Sequence, residues 1–381
     1  MVAHNPPPRP PLNNIFDTSL HEWDSPGNIP AKPGDSDYGY IQHRQAVACT
    51  REHLIERVEK GAEFNFVWMP ESPEPILPER APFLLESFRR NLRRHAWTPI
   101  LIGAALIAVA IMLAIVFHRW SMVYRSFLFV FGAVGLVEGA WVFWRSHYYT
   151  QADAISDASA ARFAAWLEKR ALSGYTVMLI ACMVVVGGVQ FVAGNSIEVA
   201  GLVKPAVRNG ELWRLFTATL MHANFTHFWM NSLALVHFSK IIEQSVQRPL
   251  VPLVFLLTAP VGSIFSVLLY PNSTSVGASG GLMGLLGFIT VAAYFDRNRY
   301  PQKYLRQMIE AIVSIGLFGL FGFAFIDNAG HFGGLVGGLL LGWLFFRRKD
   351  QSIKNLINYG GAAALVVLGL IAAYAVYRMG R

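Results

Sequence analysis

Nine apolar segments of span length dominate this 381-residue chain, and they restrict its fold more than any other feature. They lie near residues 98–117, 127–144, 175–195, 226–245, 249–270, 279–295, 307–326, 331–346 and 360–377. A helix crossing the hydrocarbon core needs roughly 20 mostly apolar residues. Lipid offers no partner to a free backbone N–H or C=O, so such segments become helices packed on one another. Charged residues make up only 15% of the chain, against about 25% in soluble domains. The predicted fold class is therefore all-α, a multi-pass membrane helical bundle.

The spans group as two, then six, then one. This divides the chain into a cytosolic tail with a small module at 1–95, two extra transmembrane helices at 96–145, and a polar helical linker at 146–173. A six-span core at 174–347 follows, and then a linker and last span at 348–381. Residues 1 to about 35, rich in Pro, Asn, Asp and Gly, read as disordered. A helix is expected within "AVACTREHLIERVEKG". The N-terminus has no apolar core of a signal peptide. The net charge is +8, but Lys and Arg cluster beside apolar runs, where they set topology rather than bind nucleic acid. Cys49 and Cys182, far apart, suggest neither a disulfide framework nor a thiolate metal site.

"FRRNLRRH" precedes the first span, which puts the N-terminal tail on the cytoplasmic side. Counting forward, "WLEKR", "DRNRYPQKYLRQ" and "RRKDQSIKN" fall on that side too. Basic residues in the outward "HRWSMVYR" turn and the outward loop 196–225 run against the rule.

By the same count, the spans beginning near 226, 279 and 331 all run inward. Each carries a polar or Gly-rich head: "MHANFTHFWMNS", "GASGG" and "DNAGHFGG". Asn231, Ser279 and His331 lie 17, 17 and 16 residues before the basic or acidic cytoplasmic ends Arg248, Asp296 and Arg347. At about 1.5 Å per residue each interval covers roughly 25 Å, so all three residues sit at one depth, a few Å below the outer surface.

Serine is a weak nucleophile until a base takes its proton, and histidine is the usual base near neutral pH. No lysine lies at this depth within the spans. Acyl transfer also needs donors for the developing oxyanion. His227 and Asn231, four apart, share a helix face, and the Ser279 N–H at a helix start adds a third donor. Gly334 and Gly338 form a GxxxG that lets their helix pack closely against the serine helix.

Each residue alone has a plainer explanation: Ser279 as packing, Asn231 as an interhelical bond, His222 and His237 as interfacial or buried histidines. The agreement of three segments in depth favours a site. A three-His zinc site from His222, His227 and His331 is the weaker alternative, because residues five apart do not share a helix face and no HExxH is present.

At these residues the sequence resembles the rhomboid family of intramembrane serine proteases. "ELWRLFTATLMHANFTHFWMN", "GASGG" and "NAGHFGGLVGG" occur in the family's order on successive helices, covering about 175–346. The resemblance implies a six-helix rhomboid-like core with two extra N-terminal spans and one extra C-terminal span. It implies Ser279 as nucleophile and His331 as base, a catalytic dyad without carboxylate, with His227 and Asn231 lining the oxyanion hole. Trp213 and Arg214 would hold the shape of a loop half-sunk in the outer leaflet. His222 would give structural support, Glu243 would tie cytoplasmic helix ends together, and Asn328 would pack near the site. The hydrolase would cleave transmembrane protein substrates from the outer side, among membrane lipids, with no cofactor and no metal. A catalytically silent relative that escorts membrane clients is the rival reading. Two departures stand out: Met283 where an aromatic often stacks on the catalytic imidazole, and Asp327 just before the histidine segment.

Overall fold

A computed structural model describes residues 32, 38–42, 45–61, 66–70, 72, 74–194, 196–347 and 352–380. Apart from residue 32, the N-terminal tail expected to be disordered lies outside these. Two compact units divide at Trp166 and Leu167.

The first unit opens with a module of three antiparallel strands. β1 (Tyr38–Gln42) sits between β2 (Gln45–Cys49) and β3 (Phe66–Trp68), with α1 (Arg51–Glu59) following β2. The helix expected within "AVACTREHLIERVEKG" is α1, and residues 46–49 ahead of it are strand. Val47 and Cys49 pair with Tyr40 and Tyr38, while extended Thr50 caps α1 by accepting the His53 N–H at 3.2 Å. Tyr40, Leu54, Val67 and Leu84 form the module's core.

α2 (Leu85–Val116) then runs through the basic cluster and the first span as one 32-residue helix, so it starts well before the predicted 98. The short α3 (Ser121–Tyr124) leads to α4 (Phe127–His147), and α5 (Gln151–Glu168) is the predicted polar linker helix. α5 belongs to the module's unit: Arg162 pairs with the buried Glu79 at 2.6 Å.

The second unit holds α6 (Gly174–Val192), then a folded loop containing α7 (Ser196–Ala200), β4 (Leu202–Val203), α8 (Lys204–Arg208) and α9 (Arg214–Thr217). α10 (Phe225–Ser245), α11 (Leu250–Leu269), β5 (Thr274–Ser275), α12 (Ser279–Phe295), α13 (Tyr304–Phe321), α14 (Asn328–Arg347) and α15 (Ser352–Met379) complete it. All nine predicted segments are helical. Among the described residues seven helices are long and apolar enough to span a membrane; α12 has only 17 residues, and the 21-residue α10 carries the polar "THFWMN" head. The chain is an integral, multi-pass membrane protein.

α12 is short because it is central. Every residue from Gly281 to Ala293 is buried, whereas α6 and α15 present Val185 and Val366 outward, both more than half exposed. Such apolar faces suit lipid. Glycines let the central helix sit so close to α14. A Cβ on Gly334 would strike the Gly280 carbonyl, and one on Gly338 would strike that of Gly284.

Candidate active site

A side-chain cap decides where the polar head of α10 begins. Extended Asn224 accepts the His227 N–H at 2.9 Å and starts α10. That puts His227 in the first turn and Asn231 one turn deeper on the same face. The His227 Nδ1 lies 3.5 Å from the Ala223 N–H. With Nδ1 as the acceptor, the neutral ring carries its proton on Nε2. Asn231 is buried, and its Nδ2 has no hydrogen-bond partner among the described residues.

Both donors converge on Gly277, two residues before Ser279. A Cβ there would lie 2.9 Å from His227 Nε2 and 3.6 Å from Asn231 Nδ2. Gly277 has φ +135, a conformation open to glycine and strained for other residues, and its N–H bonds the Ala218 carbonyl at 2.9 Å. Ser279 opens α12, so its own N–H is one of the helix's unpaired first donors. Two side-chain N–H groups therefore gather at Gly277, two residues before the serine that opens α12.

His331 lies in the first turn of α14, its N–H bonded to the Asp327 carbonyl at 3.1 Å. The close approach of Gly334 to Gly280 brings this turn against the head of α12. No direct hydrogen bond joins Ser279 to His331 among the described residues. Catalytic bonds commonly tighten only when substrate arrives. A cavity of about 40 Å³ opens beside Ser279, lined by Gly277, Gly280, Ser275, Thr219, Asp327 and Gly330 among others. That is room for a few waters or a small side chain.

The remaining predicted residues lie elsewhere in the second unit. The Arg214 guanidinium donates to the Gly201 carbonyl at 2.9 Å, the Glu198 carbonyl at 3.1 Å and Glu211 at 2.7 Å, which cross-links the loop 196–225. The Arg214 and Arg378 guanidinium groups each lie 4.5 Å from the Trp213 ring centre, and the ring stacks edge-on to Tyr374 of α15. His222 is buried 5.3 Å from the His227 ring, and burial pushes its imidazole down to about 3, with His227 adding to the shift. Gln190 of α6 holds the His222 backbone through both its N–H, at 3.0 Å, and its carbonyl. Glu243 accepts the Ser173 N–H at 3.0 Å together with the Ser173 and Thr176 hydroxyls, joining the C-terminal end of α10 to the start of α6. Asn328 bonds the Gly319 carbonyl of α13 at 2.9 Å. Met283 is buried in α12. No cluster of three potential metal ligands occurs among the described residues.

Sequence reasoning missed Lys204, Ser266 and Ser275, which meet at Asp327. Lys204 is fully buried, and neither periodicity nor a motif signals this. The one clue was a basic residue in a loop read from the sequence as outward, contrary to the topology rule.

Residues 209–348 match the Rhomboid domain family. The chain is 32% identical over 168 residues to RHOMBOID-like protein 6, mitochondrial, of Arabidopsis thaliana, covering 42% of this chain and 53% of that protein. It is 32% identical over 146 residues to YdcA of Bacillus subtilis, covering 38% of this chain and 73% of YdcA. The rhomboid protease GluP of the same bacterium is 32% identical over 173 residues, 43% of this chain and 33% of GluP. The matched region spans about half the length of the Arabidopsis relative.

Proposed function

The chain belongs to the rhomboid family, and from that premise we propose that it is an intramembrane serine endopeptidase cleaving peptide bonds in or near transmembrane segments. Ser279 Oγ attacks the scissile carbonyl carbon while His331 takes the hydroxyl proton. The carbonyl electrons move onto its oxygen, where His227 Nε2–H, Asn231 Nδ2–H and the Ser279 N–H stabilise the charge. Collapse of the intermediate breaks the C–N bond, and His331 returns the proton to the leaving amine. Water then attacks the acyl-serine with His331 again as base, and the second collapse regenerates Ser279 and releases the carboxylate fragment. No step calls on a metal or an organic cofactor.

The observation that carries this reading is the convergence of His227 and Asn231 on Gly277, immediately ahead of a serine that opens a helix. Gly277 and Gly280 leave room beside Ser279 for a substrate backbone. A substrate helix must unwind to expose its peptide bond, so small and helix-breaking residues near the cut are favoured. The topology count places the N-terminal tail in the cytoplasm and opens the site to the outer side.

The test is cleavage of a single-span substrate in vesicles, together with labelling by a serine-reactive fluorophosphonate. Wild type cleaves and is labelled, and Ser279→Ala does neither. Persistent cleavage by Ser279→Ala would overturn the reading in favour of a catalytically silent client-binding protein.

A further inference from the structure

Asp327 and Lys204 have no place in the chemistry above, yet they form the most heavily bonded ionic group near it. Asp327 precedes α14 by one residue and caps it, its Oδ1 accepting the Gly330 N–H at 2.9 Å. A cap needs no more than that. Its carboxylate also accepts hydroxyl bonds from Ser266 of α11 and Ser275 of β5, and Lys204 Nζ lies 3.8 Å from Oδ2. The Lys204 side chain is completely buried. It donates to the Ser273 hydroxyl at 2.6 Å and lies 5.6 Å from the Tyr270 ring centre. Desolvation pulls the Lys204 ammonium down, against the opposing pull of Asp327.

These bonds join four separate pieces of chain. Lys204 follows β4 directly, and β4 pairs with β5 through Leu202↔Ser275 and Val203↔Thr274. Ser275 is four residues before Ser279, and Asp327 is four residues before His331. A single carboxylate thus ties the loop 196–225, the outer end of α11, the approach to Ser279 and the turn that carries His331. Glycine packing brings α12 and α14 close, but small smooth faces leave more freedom to slide along the axes than a directional bond does. Directional bonds to a buried ion remove that freedom, because any slip leaves a charge unpaired.

We propose that the Lys204–Asp327 pair is a positioning clamp that holds Ser279 and His331 in register for proton transfer. The clamp rests on the dyad reading, and its test separates the two. Misplacing a reacting group by about 1 Å costs on the order of a hundredfold in rate. Asp327→Asn is therefore expected to lower kcat by about tenfold to a hundredfold, to leave KM within about twofold, and to slow fluorophosphonate labelling of Ser279 in parallel. Lys204→Met lowers both rates by about tenfold, and the double variant is no slower than the slower single, because both residues act through one contact. A purely structural role would reduce the fraction of protein labelled and leave the labelling rate constant of the folded fraction unchanged, and that result overturns the clamp. So do single effects that multiply in the double variant. If Asp327→Asn does not fold, Ser275→Ala removes one bond without stranding a charge. It is expected to slow labelling about threefold to tenfold, and an unchanged rate again refutes the clamp. Ser279→Ala, run alongside, reports on the dyad itself: cleavage without Ser279 removes the premise and the clamp with it.

Discussion

Two helix pairs in this molecule pack by the same device and differ in what they carry. In the first unit, a Cβ on Gly103 of α2 would lie 2.6 Å from the Gly132 carbonyl of α4, and one on Gly139 would lie 2.9 Å from the Ala96 carbonyl. In the second, Gly334 and Gly338 of α14 meet the Gly280 and Gly284 carbonyls of α12 in the same way. Close approach through small residues is a general solution to helix association in lipid, where no hydrophobic force draws helices together. Around the glycines of the α2/α4 contact lie backbone and the apolar side chains Ile100, Ile107 and Leu136. The α12/α14 contact ends in Ser279 and His331. Packing brings helices together, and the residues at their heads decide whether the contact has chemistry.

Substitutions can break this comparison from either side. The largest effect is expected from His331→Ala, which loses about 10³-fold or more in kcat for want of a base. The thermal midpoint in detergent should nonetheless stay close to that of wild type, because the glycine contacts are untouched. A midpoint drop as large as the activity loss implies would count against a catalytic role. Next come His227→Ala and Asn231→Ala, each lowering kcat by about 10²-fold, the measured range for one oxyanion donor. A rise in KM with kcat unchanged would assign them to substrate binding instead.

Gly338→Val and Gly103→Val test the packing itself. Each overpacks a backbone contact at a cost of about 1–3 kcal/mol, visible in denaturant or thermal unfolding. Only Gly338→Val should also impair fluorophosphonate labelling, because only that pair carries the proposed Ser279–His331 dyad. Equal labelling loss in both variants would contradict the division into separate contacts.

The smallest effect is in pH dependence. His222 is held neutral by burial, with its imidazole down at about 3 against 6.5 in an exposed chain. A histidine depressed on folding stabilises the protein above its unfolded value, and that stability is lost as pH falls from about 6.5 toward 3. Wild type should therefore weaken by up to about 1.4 kcal/mol per pH unit over part of this window, and His222→Phe should flatten the slope. An identical slope in the variant would show that other groups take up the protons.

Much of the fold was legible along the chain because the solvent imposes it. Nine apolar segments became nine helices, and Asn231, Ser279 and His331 lie within the first two turns of three of them. The strand at Gln45–Cys49 was not legible. Its residues also fit a helix, and pairing with β1, a contact beyond local sequence, outweighed that preference. The basic residues of loop 196–225 ran against the topology rule for a related reason. The topology rule treats Lys and Arg as groups facing water or headgroups, but Lys204 and Arg214 are buried and bonded within the protein.

The sequence by itself determined that this is a multi-pass helical membrane protein, and its ordered motifs pointed to the rhomboid family. Hydrophobic length and helix periodicity are local properties, and they act before any helix meets another. Only the tertiary structure decided that two side-chain donors converge on Gly277 and that a lysine from a distant loop reaches Asp327. Those facts depend on the relative rotation and register of packed helices. These are set by glycine contacts and directional bonds between residues tens of positions apart, and no single segment encodes them.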